Sequence, residues 1–323
     1  MDYYGEASAP NEAFVHSALI YGSDDAFMDV ALPYVEEAID AHEPVLVAVQ
    51  SQNLENLRAA LGGEPEGTTL LANDEWYETS VSTREKFASW AKERIGSGRA
   101  RLMGEPPWAV GNDALVRDWA RSESVINVAF EDLPLSLVCA YDTRELPREI
   151  VEHAHSTHPQ IMEPVGLSPS ESFEDPRAFC RRLDSLVERP GGRPATVLDF
   201  NLADLQEVRR VVTSMAAAAG LTGSRADELA LAVNEIASNA VLHGKLPATL
   251  RIWQRDGELI CQVRDAGDGI KDVLAGQLTP RLEGIGGRGL WLTRMLSDAV
   301  EISNGTGCTV SIHTAAPEFA LVG

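Results

Sequence analysis

The chain has 323 residues, 44% of them hydrophobic and 24% charged, which is a globular composition long enough for two domains. Its net charge of −22 argues against direct binding to nucleic acid, because contacts with phosphates require lysine and arginine. Apolar runs far shorter than a transmembrane helix and a polar, acidic N-terminus predict a cytoplasmic protein without membrane association. The four cysteines are scattered without a C-x-x-C pair, which predicts reduced thiols and neither a disulfide frame nor a zinc site.

The first half of the chain alternates between strand-like and helix-like segments. "SALIYG" precedes a helical stretch "DAFMDVALPYVEEAIDA", "PVLVAVQ" precedes a helix around Leu54–Leu61, and the apolar segments "RARLMGEPPW", "SVINVAFED" and "SLVCAYD" follow. Strands that alternate with helices favour a doubly wound α/β domain, which we place over residues 1–188.

The loop after the first strand has the layout of a RecA-like ATPase but lacks the residues of a P-loop. A working P-loop has the pattern G-x-x-x-x-G-K-[ST], whereas this loop carries Ser23, Asp24 and Asp25 and no lysine. Two carboxylates would repel a phosphate at this position. We therefore expect a RecA-like domain that hydrolyses no nucleotide.

The stretch "RPGGRPA" predicts a linker at residues 189–195, because proline and glycine crowd it and it has no periodicity. The following segments predict, in order, strand, helix, helix, strand, strand, helix and strand, with a hairpin turn at Asp256 and Gly257 and a last helix over "LWLTRMLSDAV". This order predicts helices over one face of a mixed or antiparallel sheet in residues 196–323.

One predicted helix, "ELALAVNEIASNAVLHG", carries polar side chains beside its apolar stripe. Glu235, Asn239 and His243 follow one another at intervals of four residues and so share one face. The amide oxygen of Asn239 suits Mg²⁺, and Glu235 lies one turn away, where it can orient or deprotonate a nucleophile. His243 at the helix end has the simplest explanation as a structural residue.

Two glycine-rich stretches, "DAGDG" and "GGRGLWL", indicate a nucleotide site. Gly284, Gly286 and Gly289 satisfy G-x-G-x-x-G, but no buried strand precedes them and no acid follows about 20 residues later, which argues against a dinucleotide fold. Glycine amides and the start of a helix can instead cradle phosphates, with Arg288 adding charge. The carboxylate of Asp265 can accept a hydrogen bond from an adenine amine.

Together these motifs resemble the N box, G1 box and G2 box of the GHKL ATPase family over about residues 196–316. The resemblance implies an α/β sandwich that binds ATP and Mg²⁺, with Glu235 as the base and Asn239 as the metal ligand. It places Asp265 at the adenine, with a threonine beside it that corresponds to Thr309. The remaining implied cofactor-binding residues are Gly267, Gly269, Gly286, Gly287, Arg288 and Gly289, and the segment between Gly269 and Gly286 corresponds to a short ATP lid.

The compact C-terminal half resembles the anti-sigma factors with serine kinase activity of bacterial partner-switching systems, which act in transcription regulation and stress response. Proteins of this kind bind a sigma factor, phosphorylate a serine of an anti-anti-sigma protein with a STAS domain, and pair as homodimers. A sensor histidine kinase is less consistent with the sequence, because no histidine lies between the linker and Glu228 and Pro159 interrupts "HAHSTHPQ". An ATP-binding regulatory module without kinase turnover remains an alternative.

The first half resembles the MEDS sensory domain over about residues 12–187, in "FVHSALIYGS", "RLMGEPPW", "LVCAYD" and "HSTHP". This resemblance makes His16, Glu105, Asp142 and His158 candidates for a sensory pocket. A plainer explanation is that His16 is a core histidine and Glu105 a cap at a strand end. The spacing H-x-H-x-x-H, which ends at His158, leaves metal chelation open as a further alternative.

Overall fold

The computed structural model describes residues 14–96, 98–187, 190–221, 223–255, 258–280 and 287–315. Two separate sheets organise these residues, one of seven strands and one of five. Among the described residues no helix has the length and apolar character needed to span a membrane. The predicted turn at residues 256 and 257 lies outside the described residues.

The N-terminal sheet is mostly parallel, with the strand order β3-β2-β4-β5-β1-β6-β7. Only β7 runs antiparallel to its neighbour, β6. The strands are β1 (Phe14–Tyr21), β2 (Val45–Val49), β3 (Thr68–Ala72), β4 (Ala100–Gly104), β5 (Leu135–Asp142), β6 (Gln160–Glu163) and β7 (Gly166–Pro169). The helices between them are α1 (Asp24–Asp40), α2 (Ser51–Leu61), α3 (Asn73–Trp76), α4 (Ser80–Arg94), α5 (Asp113–Ala129), α6 (Arg148–Thr157) and α7 (Pro176–Ser185).

Helices cover both faces of this sheet, as the doubly wound prediction requires. α1 and α2 pack on one face, and α4, α5 and α6 pack on the other. Every residue of β5 is buried, which explains its continuous apolar sequence. The segment "SVINVAFED", grouped with the strands by its β-branched residues, lies instead mainly in the C-terminal part of α5.

The C-terminal sheet is antiparallel throughout, with the order β11-β12-β10-β9-β8. Its strands are β8 (Thr196–Phe200), β9 (Ala248–Arg255), β10 (Glu258–Asp265), β11 (Ala299–Gly305) and β12 (Gly307–Ala315). The helices are α8 (Leu205–Ala218), α9 (Ser224–Leu242) and α10 (Arg288–Leu296), with a short 3₁₀ turn over Leu202–Asp204 before α8. All three α-helices pack on one face of the sheet, which confirms the α/β sandwich.

The last predicted helix is too long, and one strand is missing from the predicted order. α10 ends at Leu296, and β11 begins only three residues later at Ala299. β11 pairs with β12, so that Ala299 to Gly305 form the outer strand of the sheet. The apolar spacing of "LWLTRMLSDAV" carries from the helix into the strand without a proline or glycine to mark the change.

Candidate functional site

The polar face of α9 meets the first turn of α10. Glu235 and Asn239 are half-buried, one helical turn apart, and both lie against Gly289. A Cβ atom at Gly289 would lie 2.8 Å from Glu235 Oε2 and 3.3 Å from the Asn239 side-chain nitrogen. The missing side chain therefore lets the carboxylate and the carboxamide approach the backbone at the start of α10.

The start of α10 is the positive end of a helix, where the first backbone N–H groups have no acceptor within the helix itself. Gly287 precedes it in the left-handed region, with φ of 80°, a conformation that suits glycine. Arg288 is the first helical residue and is exposed, and Gly289 is the second. Gly286, the other predicted phosphate-binding glycine, lies outside the described residues. This end of the site offers positive backbone dipoles and a guanidinium to a polyanion.

Asp265 lies at the opposite end of a cavity of about 230 Å³, where β10 ends. Its side chain is almost fully buried, and the backbone N–H of Gly267 donates to Oδ1 at 2.6 Å. Apolar side chains from α9, α10 and the sheet form the walls: Ile236, Ala240, Val263, Leu290 and Val310. Gly267, Gly269 and Asn239 also line this cavity. A flat apolar ring with an amine at its edge fits these surroundings.

Glycines bring the chain close to the Asp265 carboxylate. A Cβ atom at Gly244 would lie 2.5 Å from Asp265 Cγ, and one at Gly267 would lie 2.6 Å from Oδ1. Gly269 has φ of 77° and packs against the Asn304 side chain, whose Oδ1 accepts from the Ile270 N–H at 3.0 Å. Gly244 is not among the predicted site residues, although a glycine directly after a helix is a sequence signal for a helix end and for close packing.

Thr309 does not reach the Asp265 cavity, contrary to the expectation from the family resemblance. Successive residues of β12 point to opposite faces, so Cys308 and Val310 face the cavity while Thr309 faces the open side of the sheet. There Thr309 lines a groove with Arg251, Arg264 and Ser311. Cys308 occupies the place expected for the threonine, and burial, followed by the charge of Asp265, raises its pKa to about 11.

The four candidates for a sensory pocket divide between two places. Glu105 and Asp142 line a cleft of about 890 Å³ beyond the C-terminal ends of β2, β4 and β5. This edge of a parallel sheet is the usual ligand-binding position of doubly wound folds. His16 and His158 lie elsewhere, in a buried group with Glu123 and Cys139. The prediction of one pocket with all four residues is therefore wrong.

The pKa values of the two carboxylates in the cleft shift in opposite directions. Glu105 accepts hydrogen bonds from the Tyr21 hydroxyl, from the Gln50 N–H at 2.9 Å and from Asn53 at 3.1 Å, yet burial raises its pKa. For Asp142, burial acts in the same direction, but hydrogen bonds from Arg144 outweigh it and lower the pKa. Arg144 also pairs with Asp24 at 2.7 Å, so an ion-pair network lies where a P-loop would bind phosphate.

The H-x-H-x-x-H spacing does not form a chelating group in the structure. His153 stacks edge-on against Phe179 at 5.6 Å between ring centroids, and His158 faces Glu123 instead. In the described part of the chain, the group of side chains that brings metal-binding atoms together contains His158 but neither His153 nor His155.

Two protein families match separate parts of the chain. Residues 15–159 match the family described as MEDS, the methanogen/methylotroph, DcmR sensory domain. Residues 198–313 match the histidine kinase-like ATPase domain. The chain carries a MEDS domain followed by a histidine kinase-like ATPase domain. A comparison with curated proteins gives no match. The ATPase domain implies binding of ATP, typically with Mg²⁺. The cavity at Asp265 has an apolar lining and a size that suit the adenine ring.

The MEDS domain contacts the described part of the ATP lid, residues 270–280. The buried guanidinium of Arg84 in α4 donates to the backbone oxygen of Gln277. Leu274 packs with Val125 of α5 and with Cys180 of α7, and Thr279 donates to Glu85 at 2.6 Å. The predicted lid is therefore attached to three helices of the sensory domain.

The MEDS domain also holds α10, the helix whose first turn faces Glu235. Arg294 of α10 pairs with Asp118 of α5 at 3.3 Å, and both side chains are buried. Thr79, which caps α4, donates its hydroxyl to the backbone oxygen of Met295 at 3.2 Å. A displacement of α4 or α5 would thus act directly on α10, whose first turn lies against Glu235 and Asn239.

Proposed function

We propose that this protein is an anti-sigma factor with ATP-dependent protein serine kinase activity, regulated by its MEDS domain. The observation that carries the proposal is the approach of Glu235 and Asn239 to Gly289 at the start of α10. In this proposal a base, an oxygen ligand for Mg²⁺ and a phosphate-binding helix end lie close together. Phosphoryl transfer depends on the positioning of these three groups around the terminal phosphate.

In the proposed reaction, adenine binds between the apolar walls and donates its amine to Asp265, and the terminal phosphate lies toward α10. Glu235 accepts the proton of a serine hydroxyl as the serine oxygen attacks the γ-phosphorus. The bond between that phosphorus and the bridging oxygen breaks, and ADP leaves. Bound Mg²⁺, with Asn239 as a ligand, would neutralise charge on the phosphates.

The positions of the histidines support an acceptor in another protein. All seven histidines of the chain lie among the described residues, and none lies on a pair of long helices preceding the ATPase domain. Only ten residues separate the end of α7 at Ser185 from Thr196 in β8. We therefore propose that the acceptor is a serine of a STAS-domain anti-anti-sigma protein and that a sigma factor is the second partner.

Regulation would pass through the contacts of α4 and α5 with the lid and with α10. The cleft beyond β4 and β5 is lined not only by Glu105 and Asp142 but also by Glu258 and Ala315 of the ATPase domain. A ligand in the cleft would therefore contact both domains. If it favours one arrangement of α5, it changes the affinity of the ATPase domain for nucleotide, and nucleotide changes the affinity of the cleft for the ligand by the same coupling free energy.

The test uses the full chain, labelled ATP and a candidate STAS protein with its serine intact or replaced by alanine. Glu235→Gln should lower phosphate transfer by about 10²- to 10⁴-fold while ATP still binds, because it removes the base and keeps the side-chain shape. Glu228→Gln is the matched control, since Glu228 lies on the same helix but pairs with Arg225 at 3.6 Å.

The other outcomes assign other functions. Label on a histidine of this chain would show a histidine kinase. A binding module without turnover would give a different pattern. The unaltered protein would bind ATP without transferring phosphate, and Glu235→Gln would still regulate the partner.

A further inference from the structure

Four side chains with metal-binding atoms meet inside the MEDS domain: His16, Glu123, Cys139 and His158. They come from β1, α5, β5 and the residue after α6, and all four are buried. One ligand atom from each lies within 4.8 Å of the others. None of them lines the cleft with Glu105 and Asp142, so they form a separate group.

The polar atoms at the centre of this group are incompletely satisfied. Glu123 Oε2 and His158 Nε2 are buried without a hydrogen-bond partner. The two atoms lie 3.4 Å apart, and His16 Nε2 lies 3.7 Å from the same oxygen and 3.6 Å from Cys139 Sγ. Buried polar atoms without partners are rare and destabilising, so each requires an explanation.

These separations match the edges of a metal coordination tetrahedron. Zinc binds nitrogen and oxygen at about 2.0–2.2 Å and sulfur at about 2.3 Å, which places neighbouring ligand atoms roughly 3.3–3.8 Å apart. The three measured distances fall in this range, and the remaining pairs of ligand atoms lie within 4.8 Å of one another.

The outer nitrogen of each histidine is positioned so that its inner nitrogen can bind a metal. His158 Nδ1 lies 2.8 Å from the Ala154 carbonyl oxygen, which can only accept, so Nδ1 carries the proton. His16 Nδ1 lies 3.1 Å from Asn127 Oδ1, and the Asn127 amide nitrogen donates to the Thr157 carbonyl at 2.8 Å, which fixes Oδ1 as the acceptor. Both Nε2 atoms therefore direct lone pairs inward, an arrangement typical of metal-ligating histidines.

The charges in the group also favour a cation. Within the described residues, the ion-pair partners of Glu123 are these two histidines, with no lysine or arginine. The His16 ring and the Cys139 thiol are both buried, at 3% and 2% exposure, so solvent does not stabilise a charge on either of them. Thiolate at this position requires a positive charge beside it.

We propose that His16, Glu123, Cys139 and His158 hold one transition-metal ion of the zinc class in a closed four-ligand site. Two imidazoles, one carboxylate and one thiolate form a donor set that suits zinc. When the metal binds, the Cys139 sulfur loses its proton to solvent and forms the bond to the metal, without any redox change. The ion would fix α5 to β1 and β5, and α5 also carries Asp118, which holds α10 of the ATPase domain.

The test is metal analysis of the full-length protein purified from zinc-supplemented medium, followed by replacement of the metal with Co²⁺. We expect about one metal per chain and, with Co²⁺, a thiolate-to-cobalt charge-transfer band with tetrahedral d–d absorption. Cys139→Ser should abolish that band, whereas Cys180→Ser, at a buried cysteine outside the group, should keep it. Asn127→Ala should weaken metal affinity by about 10- to 100-fold through the His16 ring.

The measurement on the unaltered protein decides the question if a variant does not fold. Substoichiometric metal, together with no charge-transfer band and no rise in melting temperature when Zn²⁺ or Co²⁺ is added to chelator-treated protein, would overturn the proposal. That result would indicate that Glu123 and one of the histidines share a proton and that the group binds no metal.

Discussion

Two buried acids of α5, five residues apart, differ in how the fold satisfies them. Asp118, at 5% exposure, accepts from the Ser80 hydroxyl at 2.5 Å and from Arg294 and the Val300 N–H, each at 3.3 Å. Glu123, at 4% exposure, has one oxygen without a hydrogen-bond partner. Arg294 and Val300 of the ATPase domain donate hydrogen bonds to Asp118, so the role of this acid is structural. One oxygen of the second acid has no hydrogen-bond partner among the described protein atoms, which is one of the observations behind the proposed metal site.

Removing Asp118 should have the largest effect. Asp118→Ala leaves the Arg294 guanidinium buried without its carboxylate, and breaking a buried pair in this way costs about 3–5 kcal/mol. We expect chemical unfolding to lose roughly that free energy and the ATPase domain to unfold separately from the MEDS domain. Urea unfolding followed by circular dichroism and by tryptophan fluorescence measures both changes.

An exposed pair across the same two domains provides the control. Arg177 and Asp272 lie 2.7 Å apart, but both side chains are more than half exposed. Arg177→Ala should cost less than about 1 kcal/mol, because solvent screens the pair and Asp272 keeps its hydrogen bond from the Leu274 N–H at 3.1 Å. Equal losses for the two variants would show that the Asp118 pair contributes no more than a surface contact.

A second expected effect depends on pH and involves the same interface. His313 lies 3.0 Å from Glu258 and 3.3 Å from Glu301, and Glu301 pairs with Arg117 of α5. Burial alone lowers the pKa of His313, but the hydrogen bond with Glu258 and the charges of Glu258 and Glu301 outweigh it and raise the pKa to about 9. The folded pKa lies above the ordinary value of about 6.5, so the protonated histidine stabilises the fold.

This contribution of about 3 kcal/mol should be fully present below pH 6.5 and lost as pH rises through about 9. Unfolding free energies between pH 6 and 9.5 should fall accordingly in the unaltered protein. His313→Asn should flatten the profile over this interval. A profile with the same slope in both proteins would assign the pH dependence to other groups.

Much of the fold could be predicted because it depends on local patterns. The alternation of strands and helices and the continuous apolar run of β5 indicated a doubly wound sheet. The end of α5 could not be recognised as helical, because residues 118–126 are all buried. A helix that is buried on every side shows no single apolar stripe in its sequence. β11 was missed because neither a turn residue nor a change of composition separates it from α10.

The two candidate sites differed in how far the sequence could predict them. Glu235 and Asn239 share one helix, so their spacing alone placed them together. Glu123 and Cys139 come from different elements than His16 and His158, and only the packing of α5 on the sheet brings the four side chains into contact. Thr309 was misplaced because an error of one residue in a strand transfers a side chain to the opposite face.

Asp265 extends the comparison to a third buried acid, and its replacement should have the smallest effect of the three predicted here. Its one hydrogen bond among the described residues comes from Gly267, so the carboxylate keeps acceptor capacity toward the cavity. Asp265→Asn changes an acceptor into a partial donor and should weaken ATP binding by about 1.5–3 kcal/mol, or roughly 10- to 150-fold.

Calorimetry with ATP measures the change. Asp268→Asn is the control, because Asp268 is an exposed residue of the same cavity that pairs with Lys245. Equal affinities in both variants would place the adenine away from Asp265 and would leave this acid, like Asp118, with a structural role only.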